Sequence, residues 1–182
     1  MAASEKTAFR FLSRGPEATH AVARALSSVL DCGGVVIALR GPLGAGKTAF
    51  VKGLAEGLGL DPGIVSSPTF VVSQEYPCLA RGVRLVHLDL YRLERTAELE
   101  ATGFLDVLDG ESIVAIEWAD RLPDALPSDR LEIDLAASVE LGEKVREISV
   151  VATGLVAESV MRRWGLCLGV AGTVELENVA CP

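Results

Sequence analysis

Apolar and polar positions change rhythm along the chain, and the changes mark its elements. Val35-Val-Ile-Ala-Leu39 is an unbroken apolar run, the pattern of a strand covered on both faces, and Ser112–Trp118 contains a second such run. Helical spacing takes over elsewhere. Pro16–Leu30 brings Val22, Leu26, Val29 and Leu30 to one side and stops at Asp31-Cys-Gly-Gly34. Lys47–Leu58 does the same with Phe50, Val51, Leu54 and Leu58, and Gly59 suits the residue after its end. Further strands are predicted at Ala8–Leu12, Phe70–Tyr76, Val83–Leu90, Leu131–Leu135 and Val145–Val151. Thr96–Leu108 reads as a helix interrupted near Gly103, Gly154–Arg163 as a closing helix, and residues 61–70 as a loop. Strands alternate with helices in the first half and dominate the middle. The expected fold is therefore α/β: a central, mostly parallel sheet with antiparallel edge strands and helices on both faces.

Composition narrows this picture. The chain has 182 residues, 49% of them hydrophobic but only 5% aromatic, so aliphatic side chains must fill the core of one domain. That domain is expected over residues 1–165, with 166–182 as a tail of unassigned role. The net charge of −8 is uneven: residues 1–90 carry +2 and residues 91–182 carry −10. The second half has the wrong sign for direct binding to a nucleic-acid backbone. Its acid is either a solvated surface or a face for a basic partner. Cys32, Cys78, Cys167 and Cys181 form no C-x-x-C pair, and with only His20 and His87 there is no zinc-ligand spacing. Four reduced thiols, an N-terminus that opens no apolar run, and no stretch near the ~20 apolar residues of a membrane span point to a cytoplasmic protein with no membrane association.

The chemistry lies in the turn after the first buried strand. Gly41-Pro-Leu-Gly-Ala-Gly-Lys-Thr48 fits G-x-x-x-x-G-K-[ST], between a strand and a helix. Its glycines let backbone N–H groups of Leu43, Gly44, Ala45 and Gly46 converge on phosphate oxygens, and the following helix points its positive end at them. Lys47 supplies a cation to the β- and γ-phosphates and Thr48 a hydroxyl to Mg²⁺, so ATP and Mg²⁺ are the expected ligands. Such a site needs a carboxylate from a neighbouring strand end, and either Asp89 or Glu117 meets that description. Ser67-Pro-Thr69 falls in the loop that senses the γ-phosphate in several P-loop NTPases. Trp118, by strand alternation, turns away from Glu117 and reads as core packing.

Taken together, these blocks resemble the TsaE family, also called YjeE: bacterial P-loop ATPases required for threonylcarbamoyladenosine in tRNA. Four blocks match in order: Gly41–Thr48; Ser67-Pro-Thr-Phe70; His87-Leu-Asp-Leu-Tyr-Arg-Leu93; and Glu117-Trp118. Glu98-Leu-Glu100 with Gly103 fits the helix between the last two, and the likeness covers roughly residues 8–165. The resemblance implies the P-loop NTPase fold, with Thr48 and Glu117 as magnesium ligands and Asp89 needed for hydrolysis. It places Thr69 and Trp118 close to the nucleotide, and the adenine near Pro16–Thr19. It also implies work beside a TsaD–TsaB transferase pair, with tRNA reached only through that complex. The P-loop by itself equally allows a small-molecule kinase or a nucleotide sensor. An Arg-rich lid would mark the kinase, and Arg162-Arg163 in a late helix is poor support for one.

Overall fold

A computed structural model of the protein describes residues 8–30, 34–169 and 175–176, without the side chains of Ala8, Glu143, Lys144 and the last two. The N-terminal residues read for a leader, Cys32 and Cys181 lie outside this range. The first buried run forms β2 (Val35–Arg40) at the centre of an eight-stranded sheet. On one side it pairs in parallel with β5 (Ser112–Glu117), itself parallel to β4 (Val83–Asp89), and antiparallel β3 (Ser73–Cys78) forms that edge. On the other side it pairs in parallel with β6 (Leu131–Ser138). Beyond β6 the sheet turns antiparallel through β7 (Gly142–Ala152) and β1 (Ala8–Ser13), and the short β8 (Glu175–Leu176) runs parallel to β1. The parallel centre and antiparallel flanks are those the hydrophobic pattern implies.

Period-two alternation divides each central strand between two cores. Ile37, Leu39, Ile113 and Leu85 join Phe50 and Leu54 of α2 (Lys47–Gly57), Leu26 of α1 (Pro16–Ser28) and Trp164 of α4 (Leu155–Cys167). Val36, Ala38, Val86, Leu88, Val114 and Ile116 face the other way, onto Leu99 of α3 (Thr96–Glu100) and onto Phe104. Trp164 anchors the larger core, fully buried against Phe11 and Phe50, with its indole N–H donating to the Val22 carbonyl at 3.2 Å. The first turn of α4 is capped from afar, its Val156 and Ala157 N–H groups donating to the Asp129 carboxylate at 2.9 Å each.

Several boundaries differ from expectation. The strand expected at Phe70–Tyr76 starts only at Ser73, because the N–H groups of Val71 and Val72 both donate to the Pro68 carbonyl and turn the chain. Val72 takes a left-handed φ of 67° there. The helix expected over Thr96–Leu108 ends at Glu100; Gly103, at φ 78°, reverses the chain into a 3-10 turn over Phe104–Val107. The strand expected to include Trp118 stops at Glu117. The closing helix continues past Arg163 to Cys167.

Candidate functional site

Where β2 ends, Gly41 passes so close to β6 that a Cβ on it would lie 2.1 Å from the Leu135 carbonyl oxygen, and its φ is 132°. Only glycine fits that passage. The loop then curls into α2, whose first residue is Lys47. The lysine is buried: its Nζ donates to the carbonyls of Gly41 and Pro42 at 2.6 and 2.9 Å and sits 3.7 Å from the centre of the Trp118 ring. Burial pulls the ammonium pKa below the usual lysine value, opposed by the negative charges of Glu117, Asp120 and Asp89.

The parallel register of β4 and β5 sets Asp89 directly opposite Glu117. Both carboxylates are buried, which requires hydrogen-bond donors. Oε1 of Glu117 accepts from the Thr48 hydroxyl at 2.8 Å and lies 2.9 Å from His87 Nε2. Oδ2 of Asp89 accepts from the hydroxyls of Ser67 and Thr69 at 2.5 and 2.6 Å, and Oδ1 from the Tyr91 N–H at 2.9 Å. The alternation argument for Trp118 fails, because the residue leaves the pleat with φ 57°. Its ring swings over Lys47 and packs on Tyr91 with centroids 4.9 Å apart, half-buried at the rim of the second core.

These groups surround one cavity of about 450 Å³. Residues 43–48, Thr69, Asp89, Glu117 and Trp118 all line it, joined by Ser67 and Tyr91. A second cavity of about 380 Å³ adjoins it across Gly44–Gly46 and Ala49, lined by Arg14, Pro16, Thr19 and Arg146. The Arg146 guanidinium donates to the Gly44 carbonyl at 3.3 Å. Arg14 and Arg146 are absent from the blocks legible in the sequence, and His87 and Tyr91 enter there only within the block His87–Leu93, without a role of their own. His87 was open to recognition, being two residues from Asp89 and therefore on the same face of its strand. The arginines were not, because only the β1–β7 pairing brings residue 146 near residue 13.

The chemistry of the donors fits a nucleotide with its cation. Thr48 and Glu117 offer hard oxygens to one point, the partial set that Mg²⁺ accepts when phosphate oxygens and water complete its shell. Among the described residues, no group of three or more His, Cys, Asp or Glu side chains could hold a metal by itself. The passage at Gly41, which a Cβ would block, brings the loop backbone in beside Lys47.

Comparison with known proteins agrees with this geometry. The family model for "Threonylcarbamoyl adenosine biosynthesis protein TsaE" matches residues 13–148. A protein of Bacillus subtilis (strain 168) named tRNA threonylcarbamoyladenosine biosynthesis protein TsaE is 41% identical over 140 residues, covering 76% of this chain and 82% of its own. Its namesake in Streptomyces coelicolor is 39% identical over 132 residues, covering 72% and 88%. The crystal structure of Bacillus subtilis YdiB superposes with a TM-score of 0.71 at 30% identity, over 90% of this chain and 98% of that one. With the family model spanning most of the sheet and every block of the cavity, the chain belongs to the TsaE family.

Proposed function

We propose that the protein is a Mg²⁺-dependent ATPase required for forming the threonylcarbamoyl group on adenosine next to the anticodon of tRNAs. The observation that carries the reading is the meeting of Lys47, Thr48, Asp89 and Glu117 on one cavity, in a chain of the TsaE family. The P-loop N–H groups and Lys47 hold the triphosphate, and the cavity beside Pro16 and Thr19 takes the adenine end. Bound Mg²⁺, held by Thr48 and Glu117, would supply positive charge to the phosphate oxygens. In hydrolysis a water oxygen forms a bond to the γ-phosphorus and the bond to the β–γ bridging oxygen breaks, giving ADP and phosphate. Asp89 orients that water and receives its proton. In the structure both Asp89 oxygens are taken, one by Ser67 and Thr69 together. Release of those hydroxyls toward a γ-phosphate frees the carboxylate, and the Ser67–Thr69 loop then reports the nucleotide state.

The partners we propose are TsaD-like and TsaB-like proteins, with tRNA reached only through them. Among the described residues no arginine lines this cavity, so turnover alone is slow and changes in the complex. Of the 12 acidic residues in the span 94–134, set against three arginines, all but Glu117 reach the surface at least in part, and they offer a face to a basic partner. The direct test is depletion of the protein in its own cell, with threonylcarbamoyladenosine measured in bulk tRNA; an unchanged level refutes the assignment. At the site, Asp89→Asn and Glu117→Gln are expected to fold, retain some nucleotide binding and lose phosphate release. A wild-type rate in either variant removes that residue from the hydrolytic site.

A further inference from the structure

His87 is closed off from solvent and is not itself part of the cavity lining. Its imidazole is wholly buried, and such a group is costly unless its polar atoms have partners. Nε2 lies 2.9 Å from Oε1 of Glu117, whereas Nδ1 has no hydrogen-bond partner. A carboxylate oxygen is an acceptor, so the contact is made by the tautomer that carries its proton on Nε2, and no acceptor stands beside Nδ1 to favour the other one.

The sheet explains how the ring gets there. β4 pairs His87 with Ala115 and Asp89 with Glu117, so all four side chains lie on one face. The methyl group of Ala115, directly opposite His87, leaves room for the ring to reach Glu117 two residues further along β5. Oε1 of Glu117 thereby takes two donors from different elements, Thr48 from α2 and His87 from β4.

We infer that His87 is a positioning residue: its Nε2–H fixes the Glu117 carboxylate in the orientation that meets the divalent cation. It keeps that orientation when the Thr48 hydroxyl is recruited to the same ion. The inference rests on the proposed role of Glu117 at the metal. Groups that hydrogen-bond to metal ligands commonly change metal affinity or activity about 10–100-fold when removed, and the same scale is expected here.

Two measurements test it. The first uses the metal-free wild-type protein with ¹⁵N-labelled histidine; with two histidines in the chain, the ring signals separate cleanly. The His87 ring should be protonated at Nε2 and unprotonated at Nδ1, and its Nε2 proton should exchange slowly with water. A ring protonated at Nδ1 alone overturns the inference, without any variant having to fold. The second is Mn²⁺ affinity in the presence of ADP, read by electron paramagnetic resonance in wild type, His87→Leu, His87→Gln and Glu117→Gln. His87→Leu should weaken Mn²⁺ about 10–100-fold while metal-free ADP affinity stays within about twofold of wild type. His87→Gln, whose amide nitrogen can donate to the same oxygen, should recover most of the loss. Wild-type Mn²⁺ affinity in His87→Leu, or equal loss in the Leu and Gln variants, overturns the inference while leaving Glu117 at the metal. Wild-type affinity in Glu117→Gln overturns the metal assignment itself, and the role of His87 with it.

Discussion

Gly41→Ala is the sharpest single perturbation of the phosphate loop. The added methyl carbon would lie 2.1 Å from the Leu135 carbonyl oxygen and 3.1 Å from the Ala45 Cβ, and the first of these belongs to the backbone of β6. A φ of 132° is also outside what alanine adopts without strain. The backbone strain costs about 1–3 kcal/mol and forcing the strand or the loop aside costs about 1–3 more, so about 4 kcal/mol in all. For a chain of this size, that lowers Tm by about 12 °C. Gly44→Ala is the control, because its φ of 77° is left-handed but nothing lies within 4 Å of the new methyl. It should cost about 1 kcal/mol, or about 3 °C. Differential scanning calorimetry of the nucleotide-free proteins reads both. Equal Tm values for the two variants would refute the argument that close approach to β6, rather than backbone handedness, dictates glycine at position 41.

Three further outcomes follow from the same geometry. Lys47→Met should abolish nucleotide binding by titration calorimetry. Burial lowers the lysine pKa from 10.5, so its charge opposes folding at neutral pH, and that cost fades as pH rises through the folded pKa toward the unfolded value; stability of wild type relative to Lys47→Met should therefore rise with pH over that range, and a constant difference contradicts this. In a Trp164→Phe background, which should cost about 2 kcal/mol through the lost indole N–H bond to the Val22 carbonyl and the smaller ring in the core, Trp118 emission should change when ATP and Mg²⁺ draw the lysine from its ring; a silent indole counts against the placement. Pull-down of a TsaD–TsaB pair should depend on whether ATP analogue, ADP or no nucleotide is bound, and should weaken with salt. Equal capture in every nucleotide state would remove the Ser67–Thr69 loop as a switch, and salt-insensitive capture would remove the acidic face.

What could be read in the sequence was what depends on local order. The apolar runs at Val35–Leu39 and Ile113–Ile116 announce strands buried on both faces, and all nine of their residues are buried. The phosphate loop is legible because its chemistry is carried by consecutive residues. The misplaced features depend on distant partners or on single backbone steps. Phe70–Val72 has strand-like composition, but Ser67 and Thr69 bind Asp89 some twenty residues away and hold the turn before them. The short α3 reflects one glycine that permits a left-handed step. Trp118 breaks the period-two rule because its own backbone leaves the strand, which composition does not reveal. Arg14 and Arg146 reach the P-loop only through pairing of β1 with β7 across more than a hundred residues of chain.

The contacts of Lys47 bear on how fast nucleotide can leave. Its ammonium is already coordinated by two loop carbonyls and an indole face within its own chain. An arriving phosphate therefore displaces an internal ligand instead of capturing a bare cation, and some of the electrostatic gain is spent on that exchange. The departing product benefits from the reverse: as phosphate withdraws, the carbonyls and the ring can take its place around the ammonium. No isolated charge need form in a buried site along the way. The loop works as an exchange site with a resident competitor, which lowers equilibrium affinity but keeps the exit barrier low. That trade suits the repeated nucleotide turnover proposed for this site.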